Sequence, residues 1–215
     1  LIAFFWAKPK NKPSRVILFY VFYSIANEFF LGLLETRISN AAFLNVQFLA
    51  FSLFTIIEFE CFCYVLGKFL RRRIFKNLLV VANVFFIAIA FTNLVINFTR
   101  RQFTFDTVDF IPISTSGIIL LMFSMSSLFE EIQNPTVDFI YNTYFFWIIL
   151  GIMIYFAGTF FLFLYYNDIT KGDKEIFWNV NLLSIILKNI FFSIAFLMPE
   201  EAAKKEEPEG YFPEN

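Results

Sequence analysis

Glu58 and Lys188 are the residues of this chain whose types and placement could do chemistry, because each interrupts a run of apolar side chains. Lys188 stands in "SIILKNIFFSIAF", residues 184–196, and Glu58 in "FSLFTIIEFECF", residues 51–62. A charge at the centre of a membrane helix costs on the order of 3 kcal/mol unless something compensates it. At about 1.5 Å of rise per residue, Glu58 lies roughly 15 Å along its apolar run and Lys188 roughly 16 Å along another. Both therefore fall near the middle of a hydrocarbon layer about 30 Å thick. An acid and a base at one depth are natural partners, each lowering the cost of the other's charge.

Two more acids lie inside apolar runs. Glu60 projects from nearly the opposite face of the helix that carries Glu58, so both acids cannot reach Lys188 directly. Glu28 lies nearer the outer surface. Asn181, Ser184 and Lys188 follow one another at i, i+3 and i+7 on one helical face, a polar stripe expected to turn away from lipid. The Glu58–Lys188 pair admits three readings. It is a buried bridge that fixes helix register, part of a cavity where a ligand or proton tips the bundle between two states, or part of a transport pathway, against which stands the lack of an inverted repeat.

Other chemistry finds little foothold. The chain has no histidine, which argues against haem, transition-metal and imidazole acid–base sites. Its two cysteines, Cys61 and Cys63, lie about 200° apart on a helix and neither bridge each other nor share a metal easily. No HExxH, GxSxG or Walker loop occurs. Asp106 and Asp109 in "FTFDTVDF" read as solvated loop charges, and the Asn97–Phe98–Thr99 glycosylation match is a single tripeptide at a membrane boundary. The expectation is no catalytic residue, no metal and no cofactor. With a formal net charge of −1, no basic field points to nucleic acid.

The elements that must position these residues are membrane spans. The 215 residues are 59% hydrophobic and 22% aromatic but only 16% charged, against about 25% charged in ordinary soluble domains. The mean hydropathy is +0.67. The 35 phenylalanines read first as the codon bias of an AT-rich genome and second as packing chemistry. Runs long enough to span, about 20 residues each, cover Val16–Leu34, Phe48–Leu70, Leu78–Phe98, Ile111–Phe129, Tyr144–Tyr165 and Phe177–Met198. Gly151 and Gly158 share a face of the fifth, where small residues let helices approach closely.

Lys and Arg alternate along the successive flanking segments as four, one, five and two, with both rich segments on one side of a six-span chain. By that parity the acidic tail, residues 199–215, is cytoplasmic, polar and expected to be disordered. "LIAFFWA" at the start is too short to span and is expected to end a truncated earlier helix. The fold class is an all-α polytopic transmembrane bundle over residues 1–198, with six full spans, or seven counting that helix.

"NPTVDFIYNTYFFWIILGIMIYFAGTFFLFL", "FWNVNLLSIILKNIFFSIAF" and, more weakly, "FSLFTIIEFECF" carry a resemblance. They resemble an uncharacterised family of small membrane proteins of the Bacteroidota, most closely over residues 134–196. That family is similar to the seven-helix membrane modules that precede histidine kinases. The matching positions are Pro135, Trp147, Tyr155, Phe156, Gly158, Trp178, Lys188 and Asn189, with Glu58 as the second-span acid. The family's usual histidine falls at Asn181 here and its following asparagine at Ile185, which removes any role for an imidazole. The resemblance implies a bacterial inner-membrane protein with a signalling role, and a histidine kinase or other signalling protein as partner besides the lipid bilayer. The expected function is a non-enzymatic sensory component whose polar interior holds the ligand site or switch. A small transporter and a structural subunit of a larger membrane complex are the alternatives.

Overall fold

A computed structural model of the chain describes residues 12–37, 40–100, 110–133, 139–165 and 174–198, with backbone alone at 40–42, 100, 110, 161, 163–165 and 174–178. Six long helices account for nearly all of it: α1 (Lys12–Glu35), α2 (Asn40–Phe69), α3 (Arg73–Arg100), α4 (Phe110–Gln133), α5 (Tyr144–Tyr165) and α6 (Lys174–Leu197). A single 3-10 turn, Ile140–Asn142, leads into α5. No strand occurs among the described residues. The start "LIAFFWA", Asp106, Asp109, Pro135 and the acidic tail lie outside the described residues, as does the side chain of Trp178.

The helix ends follow from local chemistry. Pro13 and Pro112 sit in the first turns of α1 and α4, where a missing N–H loses no helical hydrogen bond. Thr143 begins α5, its hydroxyl accepting a hydrogen bond from the Phe146 N–H at 3.3 Å, a standard N-cap arrangement. The short break between α2 and α3 contains neither proline nor glycine. The partner of its free N–H groups comes from another helix. Glu130, near the end of α4, accepts the Arg71 and Arg72 N–H groups at 2.7 and 3.1 Å. A carboxylate there also meets the positive end of the α3 dipole.

Five of the helices are long and apolar enough to cross a membrane, and the sixth, α5, is apolar over the shorter stretch Tyr144–Phe160. The chain is thus an all-helical protein whose apolar helices fit insertion in a membrane. Many outward faces are apolar: α3 turns Val80, Val81, Val84, Phe85 and Phe91 outward. A contiguous apolar patch of that kind is a liability in water and the ordinary surface of a helix in lipid.

The core is aromatic and centred on α2. That helix packs against α1, α3, α4 and α5, while α5 packs against α4 and, most extensively, α6. Phe62 is fully buried and meets the rings of Tyr20, Phe156 and Phe192, with centroids at 4.7, 5.8 and 6.1 Å. Phe59 stacks on Phe86 of α3 at 3.8 Å. Phe69 at the end of α2 meets Phe145 at the start of α5, and Trp147 of α5 stacks on Phe191 near the end of α6. These contacts gather the end of α2, the start of α5 and the end of α6 at one end of the bundle, and the Glu130 contact brings the end of α4 beside them.

Candidate functional site

Tyr20, Glu58, Tyr155 and Lys188 lie two to three turns from the helix ends Lys12, Phe69, Tyr144 and Leu197, a depth of about 12–17 Å at the helical rise. Four helices thereby deliver one side chain each to a single level. Lys188 Nζ stands 3.6 Å from Glu58 Oε1. The Tyr20 hydroxyl bridges the pair, donating to Glu58 Oε1 at 2.5 Å and accepting a hydrogen bond from Lys188 Nζ. The Tyr155 hydroxyl is also hydrogen-bonded to Glu58.

Aromatic faces complete the cage. Lys188 Nζ lies 3.7 Å from the Tyr155 ring centroid and 4.7 Å from that of Tyr20, close enough for cation–π attraction of about 2 kcal/mol at a desolvated site. Lys188 is 2% exposed and Glu58 6%. At that burial an ion pair is tolerated only when its remaining donors and acceptors are met. Here hydroxyls meet the carboxylate, while a hydroxyl and two ring faces meet the ammonium. The formal charges of Glu58 and Lys188 sum to zero.

The other sequence-derived candidates divide sharply. Ser184 is buried and its hydroxyl donates to the Val180 carbonyl at 3.0 Å. Asn181 has its Oδ1 buried without a partner among the described residues. Gly158 faces Ser184: a Cβ there would run into the Ser184 hydroxyl. A Cβ on Gly151 would come within 3.0 Å of the Phe192 ring and 3.3 Å of the Lys188 carbonyl. The polar stripe of α6 thus lies against the small-residue face of α5. Glu60 is not brought to the cluster. It is exposed and accepts a hydrogen bond from Asn83 of α3 at 2.9 Å. Glu28 is exposed on α1, also away from the cluster. Cys61 and Cys63 are free and buried.

Sequence reasoning does not name Tyr20 as part of the site, and it places Tyr155 only through the family resemblance. The depth arithmetic that pairs Glu58 with Lys188 reaches Tyr155 in the run Tyr144–Tyr165, but sets Tyr20 only about 6 Å into Val16–Leu34, because α1 begins earlier, at Lys12. Glu130 and Glu131 likewise receive no role from the sequence. Glu131 pairs with the Arg71 guanidinium at 2.5 Å, and Arg72 donates to Gln133 Oε1 at 2.9 Å. The signal for them is two consecutive acids closing an apolar run opposite a run of three arginines.

Beside the cluster, a cleft of about 480 Å³ opens between α1 and α6. Tyr20 and Lys188 lie in its wall with Ser24, Asn189 and Ser193 among isoleucines. No group of three or more His, Cys, Asp or Glu side chains suited to a metal ion occurs among the described residues. The fold and this cluster define the class as an all-helical protein of membrane-compatible apolar helices with an ion pair in its interior. Below that class, the chain matches no family model, no curated protein and no solved structure.

Proposed function

We propose that this chain is an integral membrane protein of six spans, non-enzymatic, that acts as a sensory or signalling component with the Tyr20–Glu58–Lys188–Tyr155 cluster as its switch. One observation supports this above the others: the buried pair joins four helices and borders an open cleft between two of them. A bridge that only fixes register needs no cavity beside it. A molecule entering the cleft reaches Tyr20 and Lys188, whose contact ties α1 to α6. By the charge alternation the Arg71–Arg73 loop and the C-terminus face the cytoplasm. The family resemblance adds a bacterial inner membrane and a histidine kinase or similar protein as the partner that reads the state of the bundle.

The test uses the full chain in liposomes, with nitroxides at the exposed positions Phe29 and Leu182 of α1 and α6. Two distance populations are expected, with a ratio that changes in Tyr20→Phe, together with no proton or ion flux across the vesicles. A single population indifferent to Tyr20→Phe makes the cluster a fixed bridge and overturns the reading. Sustained flux under an imposed gradient makes the protein a transporter.

A further inference from the structure

The cleft between α1 and α6 is not simply apolar. Val21, Ile25, Ile186 and Ile190 form its shoulders, but Ser24 on α1 and Asn189 on α6 face into it. No hydrogen bond within the described residues engages the Asn189 amide or the Ser24 hydroxyl. Polar groups at this depth in a membrane have no water to turn to, and leaving them unmet costs free energy. Asn189 lies two turns from the end of α6 at Leu197, about 12 Å below that end at the helical rise. The volume of about 480 Å³ falls within the range of roughly 300–1,000 Å³ typical of small-molecule sites. Ile25, Ile186, Ile190 and Leu197 on its rim are all exposed, so the cleft opens sideways toward lipid.

Charge decides what it takes. Lys188 is already matched by Glu58, bridged by Tyr20 and covered by the Tyr155 ring. An anionic head group would therefore arrive as an uncompensated charge at mid-membrane depth, which is strongly unfavourable. The same depth excludes a phospholipid, whose head stays at the surface.

We infer that the cleft binds an uncharged long-chain lipophile with a hydroxyl or carbonyl head, held by the Asn189 amide and the Ser24 hydroxyl and entering from the bilayer. This deepens the sensory reading by naming a ligand class for the same site, and rests on that reading for its consequence. Such a head also lies within reach of the Tyr20–Lys188 contact that closes the cleft on its inner side.

The experiment photolabels the full chain in liposomes with a diazirine-bearing long-chain alcohol, and peptide mapping locates the adducts. Labelling is expected to concentrate on residues 20–25 and 185–197, and unlabelled alcohol is expected to displace it. A fatty acid of equal length, kept ionised at alkaline pH, is expected to compete at least tenfold less well. Asn189→Leu and Ser24→Ala are each expected to lower labelling about fivefold, the loss of one hydrogen bond. Adducts spread evenly over all lipid-facing helices overturn the inference, as does equal competition by the ionised acid. Unchanged labelling in both variants does the same. Because labelling reads occupancy and the nitroxide distances read the switch, the two proposals fail separately.

Discussion

Replacing Lys188 by methionine removes a cation while keeping most of the side chain's volume, and so isolates the ion pair from packing. At 3.6 Å and an effective dielectric of about 20, the Coulomb attraction between two unit charges is about 4.6 kcal/mol. Desolvation of both groups offsets much of that in the intact protein. The offset is not recovered when one partner leaves, because the other stays buried with its charge. Lys188→Met and Glu58→Gln are each expected to cost about 3–5 kcal/mol, the usual loss on breaking a buried pair. The double variant is expected to cost far less than their sum, with a coupling of at least about 2 kcal/mol. Charge reversal sharpens the test. The Tyr20 hydroxyl donates to one partner and accepts from the other, so it bridges a pair of either polarity. Glu58→Lys combined with Lys188→Glu is therefore expected to recover stability lost in either single variant. The assay is unfolding in mixed micelles of increasing denaturing detergent, followed by tryptophan fluorescence. Additive effects within about 0.5 kcal/mol, with both single variants well folded, refute the reasoning.

Two further outcomes follow from the packing. Gly158→Val is expected to destabilise by about 1–3 kcal/mol through overpacking of the α5–α6 seam. Because the obstructing atoms belong to Ser184, Ser184→Gly should restore part of the loss in the same unfolding assay. Glu130→Ala is expected to cost about 1–3 kcal/mol by leaving the Arg71 and Arg72 N–H groups unpaired. Glu131→Ala is expected to cost under about 1 kcal/mol, because its partner Arg71 is 39% exposed and screened by solvent. Hydrogen exchange over residues 71–76 separates the two, with faster exchange in the Glu130 variant.

The helices and the polar centre are legible in the sequence to different extents, for physical reasons. Apolar runs about as long as a bilayer core is thick identify helices directly, and each of the six inferred runs falls on one of α1 to α6, five of which are long and apolar enough to cross a membrane. Their ends are less visible: Phe48–Leu70 understates α2, which begins at Asn40, because "NAAFLNVQ" is helix-compatible but too polar to register as hydrocarbon. Depth along a helix is a one-dimensional quantity that sequence supplies, so counting residues is enough to set Glu58 and Lys188 on one level. Rotation and neighbourhood are not supplied in that way. Nothing in the spacing says that α1 packs on α2 and meets α6 through Lys188, so the bridging role of Tyr20 stays hidden. Tyrosine at that depth also reads as one more aromatic among 35 phenylalanines. Glu130 and Glu131 escape notice because acids at a helix end look like solvated charges until another helix's free N–H groups appear beside them.

The distribution of polar contacts says how the bundle would move. Several long-range ties among the described residues converge on α2 or the turn that follows it. Glu58 holds α1, α5 and α6 near mid-depth, Glu60 holds α3, and Arg71 and Arg72 hold the end of α4. Losing the Tyr20–Lys188 contact therefore leaves α2 anchored at its end by Glu130, with Glu58 still held by Lys188 and Tyr155. Loss of the Tyr20 hydroxyl releases α1 alone, from Glu58 of α2 and from Lys188 of α6, and the cleft already lies between α1 and α6. Tyr20→Phe is accordingly expected to raise hydrogen exchange in α1 near Ser24 and in α6 near Asn189, while the α2–α3 turn stays protected. Exchange that rises equally in the turn would mean that the bundle loosens as one unit and that α2 is not its fixed axis.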